Sequence, residues 1–257
     1  MTNNKNINEI YINDINKDLI NCYDCVINYT DALIMQLRTF QSLFNYMQSN
    51  EQEELYYKIR ESFNNDEDSY FLKPTLSPII TETNEINYKV SRAAKFIFLN
   101  KTCFNGLWRV NKNGGFNVPW NKKDKTSLFE KDNLFEINEK LKNITLFSDD
   151  YSKLIEYVDE NTFIYLDPPY KPLNKTSSFN SYNKENFNDE EQIRLKEFCD
   201  EINKRGGKFM LSNSSTNDNF FEDLYRDYNI EYIEAKRQIN CKGDKRGKIK
   251  EILIKNY

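Results

Sequence analysis

The sequence contains no histidine, and only seven of its 257 residues are glycine. Its five cysteines, Cys22, Cys25, Cys103, Cys199 and Cys241, are odd in number and scattered. That pattern fits no disulfide framework and points to a reducing compartment. Cys22 and Cys25 form a C-x-x-C pair, but with no histidine and no second pair a zinc ligand set is missing, and their spacing falls in a helical pattern. No metal is expected. No apolar run reaches the about 18 residues that a bilayer-spanning helix needs. The opening Met-Thr-Asn-Asn-Lys also lacks the apolar core of a signal peptide, so a cytoplasmic chain without a membrane partner is expected. A hydrophobic content of 39% over this length suffices to bury a core in one large domain or two small ones. The net charge of -4 excludes no nucleic-acid role, because an electrostatic footprint depends on where cations cluster.

Residues 9–13 are rich in β-formers and run through Asp14-Ile15-Asn16 into a helical pattern carrying Leu19, Ile20, Tyr23 and Val26, a β-turn-α unit. From about 34 to 70, Leu37, Phe40, Phe44 and Met47, then Leu55, Ile59 and Phe63, recur at spacings of three and four, predicting two or three helices. Another helix is predicted over 88–99. Residues 110–118 read as two short strands around Lys112-Asn113-Gly114-Gly115, a basic, aromatic hairpin. After residue 140, strands predicted at 144–147, 162–166, 208–211, 230–233 and 251–254 alternate with helical segments, as in a doubly wound sheet. The helix over 190–204 has Asn188 or Asp189 to cap its start and Gly206-Gly207 to end it. The stretch 242–248 is too short for a crossover helix, so the last two strands should pair antiparallel.

The strand at 162–166 delivers Asp167-Pro168-Pro169-Tyr170 to its carboxyl end, where open α/β sheets bind ligands. Two prolines stiffen the turn and remove N–H donors, so the Asp167 carboxylate and backbone carbonyls can face outward together as acceptors. Such acceptors fit an exocyclic amine: holding both hydrogens of adenine N6 would localise its lone pair for attack on a methyl sulfonium. Tyr170 would stack on the base, which must leave the duplex at a cost of about a few kcal/mol. The alternative is a proline-stiffened surface turn.

With the segments Tyr11–Asn21, Phe104-Asn105-Gly106-Leu107-Trp108-Arg109-Val110-Asn111, Phe116-Asn117-Val118-Pro119, Leu211-Ser212-Asn213-Ser214 and the C-terminal Glu251–Tyr257, the chain resembles the Dam and DpnM-like, D12 class DNA adenine-N6 methyltransferases. The resemblance implies a Rossmann-like methyltransferase α/β domain, residues 1–33 and 140–257. It also implies an inserted, mainly helical target-recognition domain with a β-hairpin, residues 34–139. It implies S-adenosylmethionine as cofactor, double-stranded DNA as partner, and a GATC-like target. By position, Asp167, Pro168, Pro169 and Tyr170 match the catalytic motif. Asp14 matches the acid on the ribose hydroxyls, with a helix N-cap as its alternative. Asp150-Tyr151 match a pair on the cofactor adenine, with a strand-end turn as theirs, and Asp167 also faces the cofactor. Asn105, Leu107, Trp108, Arg109 and Asn111 fall in the DNA-reading element. Arg109 is placed for a bidentate contact to guanine and Leu107 or Trp108 for a wedge into the stack. Lys112, Lys122, Lys123 and Lys125 are placed for phosphates, though each alone also reads as solvated surface. The polar run 172–184 reads equally as a lid or an ordinary loop.

The family's F-x-G-x-G cofactor loop and the strand before it have no counterpart, since none of the seven glycines is spaced G-x-G. The expected sheet is therefore incomplete at its N-terminus, with the missing part in an upstream or separate segment. A second reading follows, a catalytically inactive or split DNA-binding remnant. A third, transfer to an RNA base or a glutamine side chain, is disfavoured by the hairpin. A cognate restriction endonuclease is the remaining expected partner.

Overall fold

The computed structural model describes residues 7–66, 84–172, 187–216, 218–236 and 248–257, in two compact units, Met1–Asp150 and Tyr151–Tyr257. The first unit opens with β1 (Ile10–Asn13) and α1 (Lys17–Asn28). Asn16 sets the helix start: its side-chain oxygen accepts from the N–H groups of Asp18 (3.0 Å) and Leu19 (3.2 Å), satisfying two orphan donors of the first turn. β1 pairs in parallel with β2 (Ile144–Phe147), Ile10 opposite Ile144 and Asn13 opposite Phe147.

Between these strands run α2 (Thr30–Tyr46), α3 (Ser49–Asn64), α4 (Asn84–Thr102) and α5 (Lys131–Leu141). The apolar positions spaced by three and four converge in one core: Leu37, Phe40 and Phe44 of α2, Tyr56, Ile59 and Phe63 of α3, Phe98 and Leu99 of α4. Phe98 meets Phe40 and Phe44 edge-on, with ring centroids 5.7 and 5.4 Å apart. Arg92 of α4 braces this bundle through Asp18 of α1 (2.5 Å) and Asp66 at the end of α3 (2.7 Å). Cys22 and Cys25 are buried in the same core with free thiols, and burial pushes the Cys25 thiol up to about 12. They serve the packing of α1.

The hairpin expected over 110–118 is present as a turn but not as two strands: it is closed by the single bridge Val110 to Phe116, and Cys103 bridges Trp120. Its backbone pairs instead with side chains of the helices beneath. Asn64 holds both the N–H (2.9 Å) and the carbonyl (3.0 Å) of Phe116, and the Tyr56 hydroxyl donates to the Val118 carbonyl (2.8 Å). Further on, Asn45 does the same for Thr126 (3.0 and 3.1 Å), and Gln41 accepts from the Leu128 N–H (2.7 Å). A side chain that mimics a backbone amide satisfies the groups a partner strand would otherwise pair.

The second unit carries a four-stranded sheet built from β3 (Phe163–Leu166), β4 (Lys208–Ser214), β5 (Asn229–Lys236) and β6 (Lys248–Lys255) in the order β3-β4-β6-β5. β3 and β4 are parallel, while β6 is antiparallel to both β4 and β5, as the short connection from β5 requires. Helix α6 (Asp189–Lys204) begins at Asn188, which caps the Glu191 N–H at 3.0 Å. It buries Leu195, Phe198, Cys199 and Ile202 in a core with Phe209, Leu211, Ile252 and Ile254, and α7 (Phe220–Leu224) adds Phe221. Gly206 turns the chain at a φ of +81°, and at Gly207 a Cβ would stand 2.9 Å from Val158 Cγ1, so both positions require glycine. The chain is thus mixed α/β, with one parallel and one mixed sheet. Among the described residues β1 pairs only with β2, and β3 only with β4. No described helix is long and apolar enough to cross a membrane. Most of the expected lid and of the stretch before β6 fall at 173–186 and 237–247, outside the described residues.

Replacing Asn64 with alanine leaves the Phe116 N–H without its partner. The expected cost is about 1–3 kcal/mol of stability, read as a lower midpoint in urea unfolding at constant m-value.

Candidate active site

In the second unit, Asp167-Pro168-Pro169-Tyr170 follows directly on β3, and the side chains of Asp167 and Tyr165 meet at Ser212 of the neighbouring strand. The Ser212 hydroxyl donates to Asp167 Oδ1 at 3.0 Å, and the Tyr165 hydroxyl donates to Ser212 Oγ at 3.2 Å. Burial pushes the Tyr170 phenol up, although the residue remains 37% exposed.

The backbone of the turn is held from β4 and α6. Asn213 Oδ1 accepts from the Lys171 N–H (3.0 Å), the Ser214 hydroxyl donates to the Lys171 carbonyl (2.5 Å), and Gln192 Nε2 donates to the Pro169 carbonyl (3.3 Å). Gln192 in turn accepts from Asn213 (3.4 Å), and the Lys171 ammonium pairs with Asp189 and lies over the Phe220 ring. Among the described residues, Asp167 Oδ2 and the Pro168 carbonyl receive no hydrogen bond. Two free acceptors therefore remain at the end of a parallel strand, the arrangement that holds the two hydrogens of an amine.

The first unit places Asp14 and Asp150 at the carboxyl ends of β1 and β2. The two loops are stitched by Asn13, whose amide donates to the Asp149 carbonyl (3.0 Å) and accepts from the Asp149 N–H (3.1 Å). Asp14 is not the helix cap, which is Asn16. Its Oδ1 accepts from the Asn16 N–H (2.7 Å), and burial raises its carboxyl above the ordinary value, partly offset by that bond. Ser148 Oγ, on the loop after β2, is buried without a hydrogen-bond partner among the described residues. An acid and an unmatched hydroxyl at the carboxyl end of a parallel pair fit the hydroxyl-rich nucleoside part of S-adenosylmethionine. Tyr151 is held in the second unit, edge-on to Phe198 (5.3 Å between centroids) with Arg194 over its face (4.9 Å).

The residues expected to read DNA share one loop with different commitments. Asn105 is exposed at a φ of +56°, beside the exposed Phe104. Trp108 is partly buried and packs against the core beside Phe96 (4.2 Å between centroids), Phe116 (4.8 Å) and Phe63 (5.9 Å). Leu107 also packs against that core. Arg109 Nε donates to Asn117 Oδ1 (2.7 Å), which fixes the guanidinium plane, while Nη1 makes no hydrogen bond among the described residues. Asn111 forms the turn, its oxygen accepting from Asn113 (2.9 Å) and Gly115 (3.0 Å). Lys112, Lys122, Lys123 and Lys125 are exposed, and Lys122 sits at a φ of +61° in a turn capped by Asn121.

Sequence reasoning did not assign Ser212, Asn213, Ser214 and Gln192. A signal was present in Leu211-Ser212-Asn213-Ser214, where a strand that begins apolar ends in three hydrogen-bonding residues. Gln192 gave none, because a glutamine in a helix reads as surface, yet it is fully buried.

The model of the D12 class N6 adenine-specific DNA methyltransferases matches residues 1–239. The type II methyltransferase M.MjaIII of Methanocaldococcus jannaschii is 46% identical over 250 residues, 97% of this chain and 80% of the relative. The type II methyltransferase M1.LlaDCHI of Lactococcus lactis subsp. cremoris is 36% identical over 248 residues, covering 96% and 78%. The DNA adenine methylase of Escherichia coli is 28% identical over 250 residues, covering 97% and 80%. With a family match that runs through both units and includes the acceptor turn after β3, the chain belongs to the D12 class of N6 adenine-specific DNA methyltransferases.

Proposed function

We propose that Asp167 Oδ2 and the Pro168 carbonyl hold the two hydrogens of the N6 amine of an adenine extruded from duplex DNA, with Tyr170 stacked on the base. The observation that carries this reading is the pair of acceptors left free in a turn whose other polar groups are engaged. S-adenosylmethionine, when bound, supplies the electrophilic methyl group. Asp167 and Pro168 draw the N6 hydrogens aside and so localise the nitrogen lone pair, and the exposed Tyr170 ring gives the base a stacking surface worth about 1–3 kcal/mol.

Asp14 holds the ribose hydroxyls of the cofactor and Asp150 with Tyr151 borders its adenine; the ends of β1 and β2 support this. Residues 1–33 and 140–257 form the catalytic part, supported by the placement of all six described strands there. Residues 34–139 form the target-recognition part, supported by α3, α4 and the hairpin turn. Arg109, aligned by Asn117, contacts guanine, Leu107 or Trp108 wedges into the base stack, and Asn105 and Asn111 shape the reading loop. Lys122 and Lys123 contact phosphates. The target is GATC-like. A cognate restriction endonuclease as partner and work in the cytoplasm belong to the same reading.

Transfer of tritiated methyl from S-adenosylmethionine to duplex DNA tests the reading. Asp167→Ala is expected to lower kcat by about 10²–10³-fold with DNA affinity retained. DNA binding by the wild type without cofactor binding or transfer would identify a non-catalytic remnant instead. Arg109→Ala should cost about 1–3 kcal/mol of discrimination at one base of the site, read by comparing kcat/KM on single-substitution duplexes. Cofactor affinity also carries a pH signature. The ionised Asp14 carboxylate is the form that accepts from a ribose diol, and its pKa is raised, so affinity should strengthen as pH rises through that raised value. Calorimetry across the acid range should show this limb above the ordinary carboxylate position, and Asp14→Asn should bind weakly without it.

A further inference from the structure

We propose that Ser212 is a positioning residue that fixes the Asp167 side chain, so that the carboxylate presents Oδ2 and not Oδ1 to the target amine. This role rests on the methyl-transfer reading above. The polarity of the network follows from the groups themselves. A carboxylate only accepts, so the one proton of Ser212 goes to Asp167 Oδ1, and Tyr165 must then donate to Ser212 Oγ. The order is Tyr165 to Ser212 to Asp167.

Asp167 needs such a partner. It is an exposed side chain whose terminal torsion is broad and two-fold, and among the described residues Ser212 is the only group bonded to its carboxylate. Ser212, in contrast, is 3% exposed and sits on a strand paired on both sides, to β3 in parallel and to β6 in antiparallel, where it faces Leu253. A rigid strand thus transmits its position to a mobile carboxylate. Asn213, Ser214 and Gln192 fix the backbone of the turn but do not reach the Asp167 carboxylate, which separates the part of Ser212 from theirs.

The test uses the full chain, labelled S-adenosylmethionine and duplex DNA, with Ser212→Ala, Ser212→Thr and Tyr165→Phe. Ser212→Ala is expected to lower kcat by about 10- to 100-fold while the KM values for cofactor and DNA and the thermal midpoint stay at wild-type values. Ser212→Thr, which keeps the hydroxyl, should restore most of the rate. Wild-type kcat in Ser212→Ala, or a loss that Ser212→Thr does not recover, overturns the role. Should Ser212→Ala fail to fold, Tyr165→Phe decides, since Tyr165 is half exposed: a several-fold lower kcat supports the relay and an unchanged kcat overturns it. A wild-type chain that transfers no methyl group overturns the underlying reading and this role with it, whereas an active wild type with an equally active Ser212→Ala overturns this role alone.

Discussion

A turn with two consecutive prolines has no N–H at either position with which to hold itself, so whatever fixes the segment from Asp167 to Lys171 must come from its neighbours. That constraint organises the second unit. β4 runs beyond the last residue of its pairing with β3 and ends in Ser212, Asn213 and Ser214, and α6 turns Gln192 inward under the Pro169 carbonyl. The apolar half of β4, with Phe209 and Leu211, anchors it in the core. Its polar half then acts as a fixed rack for the turn. The prolines that deny the turn internal bonds also remove donors from it, so one chemical fact supplies both the need for support and a turn of acceptors without donors.

Side-chain amides do comparable work in the first unit. The chain after α4 has no strand to pair with, and Gln41, Asn45 and Asn64 supply the missing backbone partners one residue at a time. An amide carries the same donor and acceptor as a peptide group, so an irregular loop can lie on helices without stranded polar atoms. The loop after α4 thereby gains a fixed base, with Trp108 packed against aromatics and the Arg109 guanidinium aligned by Asn117, while Phe104, Asn105 and the lysines stay at the surface. The asparagines so abundant in this sequence have structural assignments at many positions.

Most of the fold was legible where periodicity is strong. The buried positions of α2 and α3 follow directly from apolar spacing, α6 was framed by Asn188 and Gly206, and the antiparallel β5-β6 pairing followed from a connection too short for a crossover. The strands around 110–118 were misread because β-formers there serve a loop: Phe116 and Val118 are buried in the helical core and their backbone groups pair with side chains, which alternation in a sequence cannot reveal.

By itself, the sequence determined the acceptor turn. Asp167-Pro168-Pro169-Tyr170 at a strand end specifies acceptors without donors through local covalent chemistry, and Asp14 after β1 is likewise a short-range feature. Only the tertiary structure decided which acceptors remain free, because that depends on Ser212, Asn213 and Gln192, more than twenty residues away in the chain. Hydrogen-bond partners across parallel strands are set by register, and register is fixed by the burial of whole faces. A motif can therefore name its chemistry locally while the atoms that perform it are selected from a distance.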